Sequence, residues 1–160
     1  MDPGAIETLK AMLATQQVAA LATLHKGEPA VSMVPFALLP QGGGLVIHVS
    51  RLATHTGDML AHTGVSLLVI APPAADVMAQ ATPRVAMAGQ ARPCRADDTV
   101  HAKAQQAYLG RFPESEPMFG FGDFSLFVIE VRSVRLVTGF GKAHSLTPAA
   151  FAQALADPGI

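Results

Sequence analysis

One cysteine in 160 residues leaves no partner for a disulfide within the chain. Cys94 therefore fits a reducing, cytoplasmic setting. No run of about 18 uncharged apolar residues occurs, so no membrane-spanning helix is expected. The first residues carry no basic stretch ahead of their apolar positions, so no secretory leader is expected. Basic runs are missing too. With 11 Lys and Arg against 12 Asp and Glu, the net charge is −1, and nucleic-acid binding has little electrostatic support. Tryptophan is absent, so stacking on a flat ligand falls to Phe, Tyr108 or His. Charged residues make up only 14% against 50% hydrophobic. A soluble monomer normally shows water more charge, so part of the apolar surface is expected to be hidden in an oligomer.

What is present reads as a single domain over residues 1–160, mainly β, with helices at the start, middle and end. Asp2-Pro3 is an N-cap and first-turn pair, and Ile6, Leu9, Met12 and Leu13 recur at helical spacing, predicting a helix to about Gln17. Strands are expected at Val18–His25, Ala30–Leu39, Leu45–Val49, Val65–Ile70, Arg84–Arg92 and Phe124–Val137. The aliphatic run Val65–Ile70 reads as a central, buried strand. Along the last strand Phe124, Leu126 and Val128 share one side, and Phe127, Ile129 and Val131 the other. Further helices are expected with Thr54 or Thr56 as cap and running through Ala61, from Asp97-Asp98 to Gly110, and from Pro148 to Ala156 behind Thr147. A helical turn is expected at Ala75–Gln80, and a Pro- and Gly-rich loop at Pro113–Gly122. Short hairpin-linked strands with peripheral helices point to a β-barrel, which removes apolar sheet edges by closing.

The segment with most chemistry is Ser50-Arg51-Leu52-Ala53-Thr54-His55-Thr56. It follows a β-rich run and precedes a short helix. Hydroxyls, a guanidinium, an imidazole and helix-start amides within seven positions suit a phosphate group. Two further blocks stand out: Phe119-Gly120-Phe121-Gly122-Asp123-Phe124, preceded by Arg111-Phe112-Pro113, and Gly139-Phe140-Gly141-Lys142-Ala143.

These blocks, in this order, resemble the FMN-binding split β-barrels of the pyridoxamine 5′-phosphate oxidase-like superfamily. The resemblance covers roughly residues 5–145. In that family the turn after the strand holds the FMN phosphate, often with an Arg-Lys pair; here Thr54 and His55 stand at those positions. The wording of the turn is similar to the branch of HugZ-like haem-utilisation proteins. The resemblance implies a homodimer with FMN at the subunit interface. Ala30–Pro35, hence Ser32, Met33, Val34 and Pro35, would line one edge of the flavin with backbone groups. His48, Val49 and Ser50 would sit beside the ring and ribityl chain. Arg51, Thr54, His55 and Thr56 would surround the phosphate, and Arg84 would meet the polar edge of the ring. Phe119–Gly122, with Phe121 and Gly122, and Phe140, Gly141 and Lys142 would come from the neighbouring subunit.

The activity expected on this basis is flavin-dependent redox chemistry on a small molecule, with the flavin carrying electrons and the protein supplying position and electrostatics. No side-chain acid or base is singled out. Lys142, flanked by glycine, is placed to stabilise a reduced flavin anion. The alternatives are haem binding or degradation, for which His144 is the best-placed iron ligand, and a stress-related protein that holds FMN without catalysis. The Arg-x-His signature of pyridoxamine phosphate oxidases is not found near Gly139–His144, which speaks against that substrate. His25, His62 and His101 read as solvated. The histidines show no paired helical spacing and no metal site is expected. Cys94 lies between Arg92 and Arg95, which could lower its pKa.

Overall fold

The computed structural model describes residues 2–156. Helix α1 (Pro3–Thr15) starts where Asp2 accepts a hydrogen bond from the Ala5 amide at 3.0 Å. It buries Ala5, Leu9, Met12 and Leu13. It stops at Thr15 and not Gln17, because Gln16 is already extended and the Gln17 carbonyl accepts from Phe36 N.

Eight strands form one antiparallel sheet. They are β1 (Val18–His25), β2 (Glu28–Pro35), β3 (Ala37–Leu38), β4 (Leu45–Ser50), β5 (Gly64–Ile70), β6 (Arg84–Cys94), β7 (Phe124–Gly139) and β8 (Lys142–Leu146). The ladder runs β2-β1-β5-β6-β7-β4-β3, with β8 added to β7. The expected strand Ala30–Leu39 is two strands. It breaks at Phe36, whose ring is fully buried, after Pro35, which ends the ladder opposite Val18 and has no N–H to donate. The chain thus leaves β1 and joins β4 without a ladder between β2 and β3. This is a split barrel: a curled sheet in which β2 and β3, the two ends of the main ladder, are consecutive in sequence.

Strand β7 holds the barrel together. Its first half pairs with β4, its second half with β8, and its other edge with β6 along nearly its whole length. A bulge opposite Ala88/Gly89 leaves Arg132 and Ser133 both exposed and returns Val134 and Leu136 to the interior. Gly89 is required there, since a Cβ would collide with the Glu130 carbonyl.

The interior cluster joins Leu21, Leu45, Ile47, Leu67, Met87, Phe127 and Ile129, and is capped by Leu9 and Leu13 of α1 and Phe151 of α4 (Pro148–Ala156). Each such side chain contributes roughly 1.5–3 kcal/mol. A second cluster lies outside the sheet. There α3 (His101–Arg111) packs Ala104, Tyr108 and Phe112 on Val46 and Leu126. The division of β7 into a Phe127 side and a Leu126 side follows the expected alternation.

Four other expectations change. Strand β5 is central, but only Val65, Leu67 and Val69 are buried; Ile70 faces water. Helix α3 begins at His101 because Asp98 instead accepts from Arg95 N at 2.6 Å, closing a turn ahead of the helix. The helical turn in the 71–83 loop lies at Ala79–Ala81, and Pro113–Gly120 forms successive 3₁₀ turns in place of an open loop. Helix α4 matches its expected bounds, with Thr147 Oγ1 accepting from Ala150 N at 3.2 Å. No helix among the described residues is long and apolar enough to cross a membrane.

Candidate functional site

The expected site residues fall into two groups at opposite ends of β7. The first is the turn between β4 and α2 (Thr54–Ala61). Its polar groups are largely engaged within the chain. Ser50 Oγ donates to Asp123 Oδ2 at 2.6 Å and accepts from Leu52 N at 3.1 Å. The Arg51 guanidinium donates to the Gly122 carbonyl, and Arg51 N donates to Asp123 O at 2.6 Å. Thr56 Oγ1 donates to the Ser50 carbonyl at 2.7 Å. The expected cap of α2 by Thr54 or Thr56 is not made; the N-cap is Ala53, with no side-chain bond. Thr54 is exposed and His55 half-buried. Burial pushes the His55 pKa down, against the opposing pull of Asp58.

Phe121 and Gly122 belong to this same group in the same chain. Phe119 stacks on the His48 ring at 3.9 Å and 10° between planes. The segment assigned to a neighbouring subunit therefore already rests on its own turn.

His48 points away from the barrel interior, toward Tyr108, Phe119 and Phe124. It is 6% exposed and borders a cleft of about 430 Å³ with Cys94, His101 and Phe119. Burial pushes its pKa down. The described buried side-chain atoms without a hydrogen-bond partner are His48 Nδ1 and Ser32 Oγ, and both residues stand among the expected flavin contacts. Ser32 and Val34 face inward from β2, Met33 faces out, and Val49 lies in the interior cluster. Strand β2 pairs only with β1, so one edge of its backbone, through Pro35, has no ladder partner.

The second group is a cleft of about 470 Å³ at the far end of β6 and β7. It gathers Arg84 with Phe140, Gly141 and Lys142 of the same chain, where the resemblance implies that the last three come from a neighbouring subunit, and it adds Arg135. Gly139–Lys142 pair across the Phe140-Gly141 turn of the β7–β8 hairpin, and Gly141 adopts φ 70°. These glycines thus have a turn to make, whatever ligand lies near. Arg84 donates to the Gln80 and Thr82 carbonyls at 3.1 and 3.0 Å. Arg135 donates to Ser145 Oγ at 2.8 Å. None of the three cations forms an ion pair among the described residues.

Beside this cleft the outer face of the sheet is apolar. Ala20, Ala22, Val31, Met33, Leu68 and Ile70 alternate outward on β1, β2 and β5, in register. None belongs to a buried cluster. Val31 is 76% and Met33 61% exposed. His144 lies across β8 from the cleft: it pairs with Leu136, whose side chain is in the core.

Three histidine and cysteine expectations are revised. His25 is not simply solvated; its Nδ1 donates to Asp58 Oδ1 at 2.7 Å, and Thr23 Oγ1 donates to Asp58 Oδ2 at 2.9 Å. His62 is exposed, with Nδ1 accepting from Gly64 N, while His101 is half-buried at the His48 cleft. Cys94 is buried, and burial together with Asp98 pushes its thiol up, the reverse of what its arginine neighbours suggest. No group of three or more metal-ligating side chains occurs among the described residues. The signals missed in the sequence were Arg135, which reads as an ordinary outward charge on a strand, and Asp123, which sits inside a glycine block.

Comparison with known proteins gives three results. A family model described as pyridoxamine 5′-phosphate oxidase matches residues 5–138. The non-canonical, chloroplastic heme oxygenase HOZ of Arabidopsis thaliana is 35% identical over 119 residues, which is 74% of this chain and 35% of that protein. Among solved structures, a heme-binding protein from Mycobacterium smegmatis superposes with a TM-score of 0.82 at 32% identity, over 96% of this chain and 62% of that one. The heme storage protein HutZ of Vibrio cholerae shares the fold, at TM-score 0.69 and 22% identity, over 77% of this chain and 87% of that one. The chain thus spans about a third of the plant protein and about three-fifths of the mycobacterial one.

Proposed function

The chain belongs to the pyridoxamine 5′-phosphate oxidase family, and from that premise we propose that it binds haem, as a homodimer, and serves haem utilisation. One observation carries this reading. The apolar outer face of the sheet ends at a cleft holding three cations, Arg84, Arg135 and Lys142, without ion-pair partners among the described residues. Haem has the matching chemistry: a flat apolar ring with two carboxylates at one edge. Its ring would lie against the apolar face and its carboxylates would meet the cations. The names of the relatives at 35% and 32% identity support the same reading. The cleft contains no histidine, so the iron's protein ligand would come from outside it.

A dimer completes the arrangement. The turn and the cationic cleft lie at opposite ends of β7, so one ligand cannot reach both within a chain. A second copy packed on the outer face by two-fold symmetry would bring the partner's turn toward the cleft and cover the apolar residues.

A second reading, an FMN-dependent oxidoreductase acting on a small molecule, is favoured by the unpartnered His48 Nδ1 and the open backbone edge of β2. Bound FMN would supply electron transfer; β2, His48 and the α2 start would hold it. Against it, Ser50, Arg51 and Thr56 already have partners, and the Asp123 carboxylate at the turn repels phosphate.

Titration of the purified protein with haem and with FMN separates the two. Haem at one equivalent per chain, with a sharp Soret band and weak FMN binding, is expected. Tight FMN and no saturable haem binding would replace the first reading with the second.

A further inference from the structure

We propose that Arg135 is the residue by which the cleft selects ligands carrying free carboxylates. The inference rests on the haem reading for its natural ligand, but not for its geometry. Arg135 pairs with Ala86 on β6 and with Ser145 on β8, so its stem rises from the outer face between two strands. Arg84 pairs with Val137, two positions along β7. The two arginines are therefore diagonal neighbours on one face, close enough for their long side chains to meet one ligand. Lys142 closes the third side from the hairpin turn.

The two arginines differ in how they are held. Arg84 is half-buried and spends hydrogen bonds from one terminal nitrogen on the Gln80 and Thr82 carbonyls. Those bonds fix it as a wall of the cleft. Arg135 is exposed and makes one side-chain bond, to the hydroxyl of Ser145. Its remaining donors are available for a bidentate bond to a carboxylate, with Ser145 setting the plane of the guanidinium. Among the described residues no acidic side chain lines the cleft. A ligand lying on the apolar face would shield the pair from water and strengthen it. Rim cations over solvent gain little by themselves, so the selection appears only with ligands that also cover the apolar face.

The test uses the full chain and two ligands that differ only at the carboxylates, haem and its dimethyl ester. Wild type should bind haem about 10- to 100-fold more tightly than the ester, the effect of a charge-assisted hydrogen bond. Arg135→Gln should remove most of that ratio by weakening haem alone. Ser145→Ala should reduce it partly, with the ester unaffected. A ratio near one in wild type, or an equal loss of both ligands in Arg135→Gln with unchanged circular dichroism, overturns the proposal while leaving haem binding standing. A third probe covers the case in which haem does not bind. 1-Anilinonaphthalene-8-sulfonate is apolar and anionic, and its fluorescence enhancement should fall at least about fivefold in Arg135→Gln. That result without haem binding keeps the anion cleft and removes the haem reading; no change in the dye signal removes the cleft.

Discussion

Ser50 and Asp123, one at the end of β4 and the other just before β7, share a 2.6 Å hydrogen bond from hydroxyl to carboxylate. The bond places a negative charge beside the turn whose composition suits a phosphate. The same Asp123 carbonyl holds Arg51 N, so the turn is closed by both the main chain and the side chain of one acidic residue. Asp123→Asn keeps an oxygen for Ser50 and removes the charge. It should tighten FMN by about 1 kcal/mol, roughly fivefold, given solvent screening at a half-exposed site. Calorimetric titration with FMN reads the change. Equal FMN affinity in the two proteins would show that phosphate does not approach this turn.

Arg111 supplies a second long-range tie. Its guanidinium donates to the carbonyls of Leu13, Ala14 and Gln16, the unsatisfied end of α1. It also lies 4.8 Å from the centre of the buried Phe36 ring. Arg111→Met should preserve packing and strand the carbonyls, lowering unfolding free energy by about 2–4 kcal/mol. Urea titration should show a lower midpoint with an unchanged slope. A midpoint within error of wild type would mean that water caps α1 equally well.

Arg111 also illustrates what a sequence discloses. Arg111-Phe112-Pro113 stood out as one block of a family pattern, but its job joins residues almost a hundred positions apart, which no local periodicity reveals. The strands were legible because alternation and turn residues are local signals. Strand β8 was not: Lys142–Leu146 has a weak apolar pattern, and the glycines ahead of it read as a ligand motif when they make a hairpin turn. His25 looked solvated because Asp58, its partner, lies on another element. Both ends of the candidate site were anticipated from residue type, with Ser50 at one end and Arg84 at the other. Their separation along β7 comes only from the register.

Acid should destabilise the protein in two stages. Burial lowers the His48 pKa, and burial outweighs Asp58 in lowering that of His55. The unfolded chain therefore takes up protons first, so stability falls as pH drops below about 6.5 toward the lowered values in the folded state. Asp58 acts lower. The hydrogen bond from His25, then that from Thr23 and the His25 and His55 charges, hold its carboxyl below the ordinary range despite opposing burial. Its contribution is complete above the ordinary carboxylate value and is lost as pH falls through the lower folded value. His48→Phe, which keeps an aromatic ring against Phe119, should flatten the first stage and leave the second. Asp58→Asn should lower the midpoint at neutral pH and flatten the second. Thermal midpoints from pH 8 to pH 3 for the three proteins decide; a first stage that survives in His48→Phe assigns it to His55 or elsewhere.

Dimerisation is the prediction on which the composite site depends. Val31 and Met33 stand out from β2 above Ala20 and Ala22, whose small side chains let another sheet approach closely. Burying a Met or a Val side chain at an interface contributes roughly 1.5–3 kcal/mol, and two-fold symmetry makes each substitution count twice. Met33→Glu places a carboxylate where a partner sheet would exclude water, so the loss exceeds that of the methionine contact alone. A weakening of dimerisation by about 4 kcal/mol or more, roughly a thousandfold, follows. Sedimentation at micromolar concentration should show a wild-type dimer and a Met33→Glu monomer with the same far-ultraviolet circular dichroism. The monomer should also bind haem less tightly, because the cleft at Arg84 would lose the surface opposite it. A wild-type monomer that binds haem at full strength would break the link between the apolar face and a second copy. A Met33→Glu dimer would move the interface to another face of the sheet.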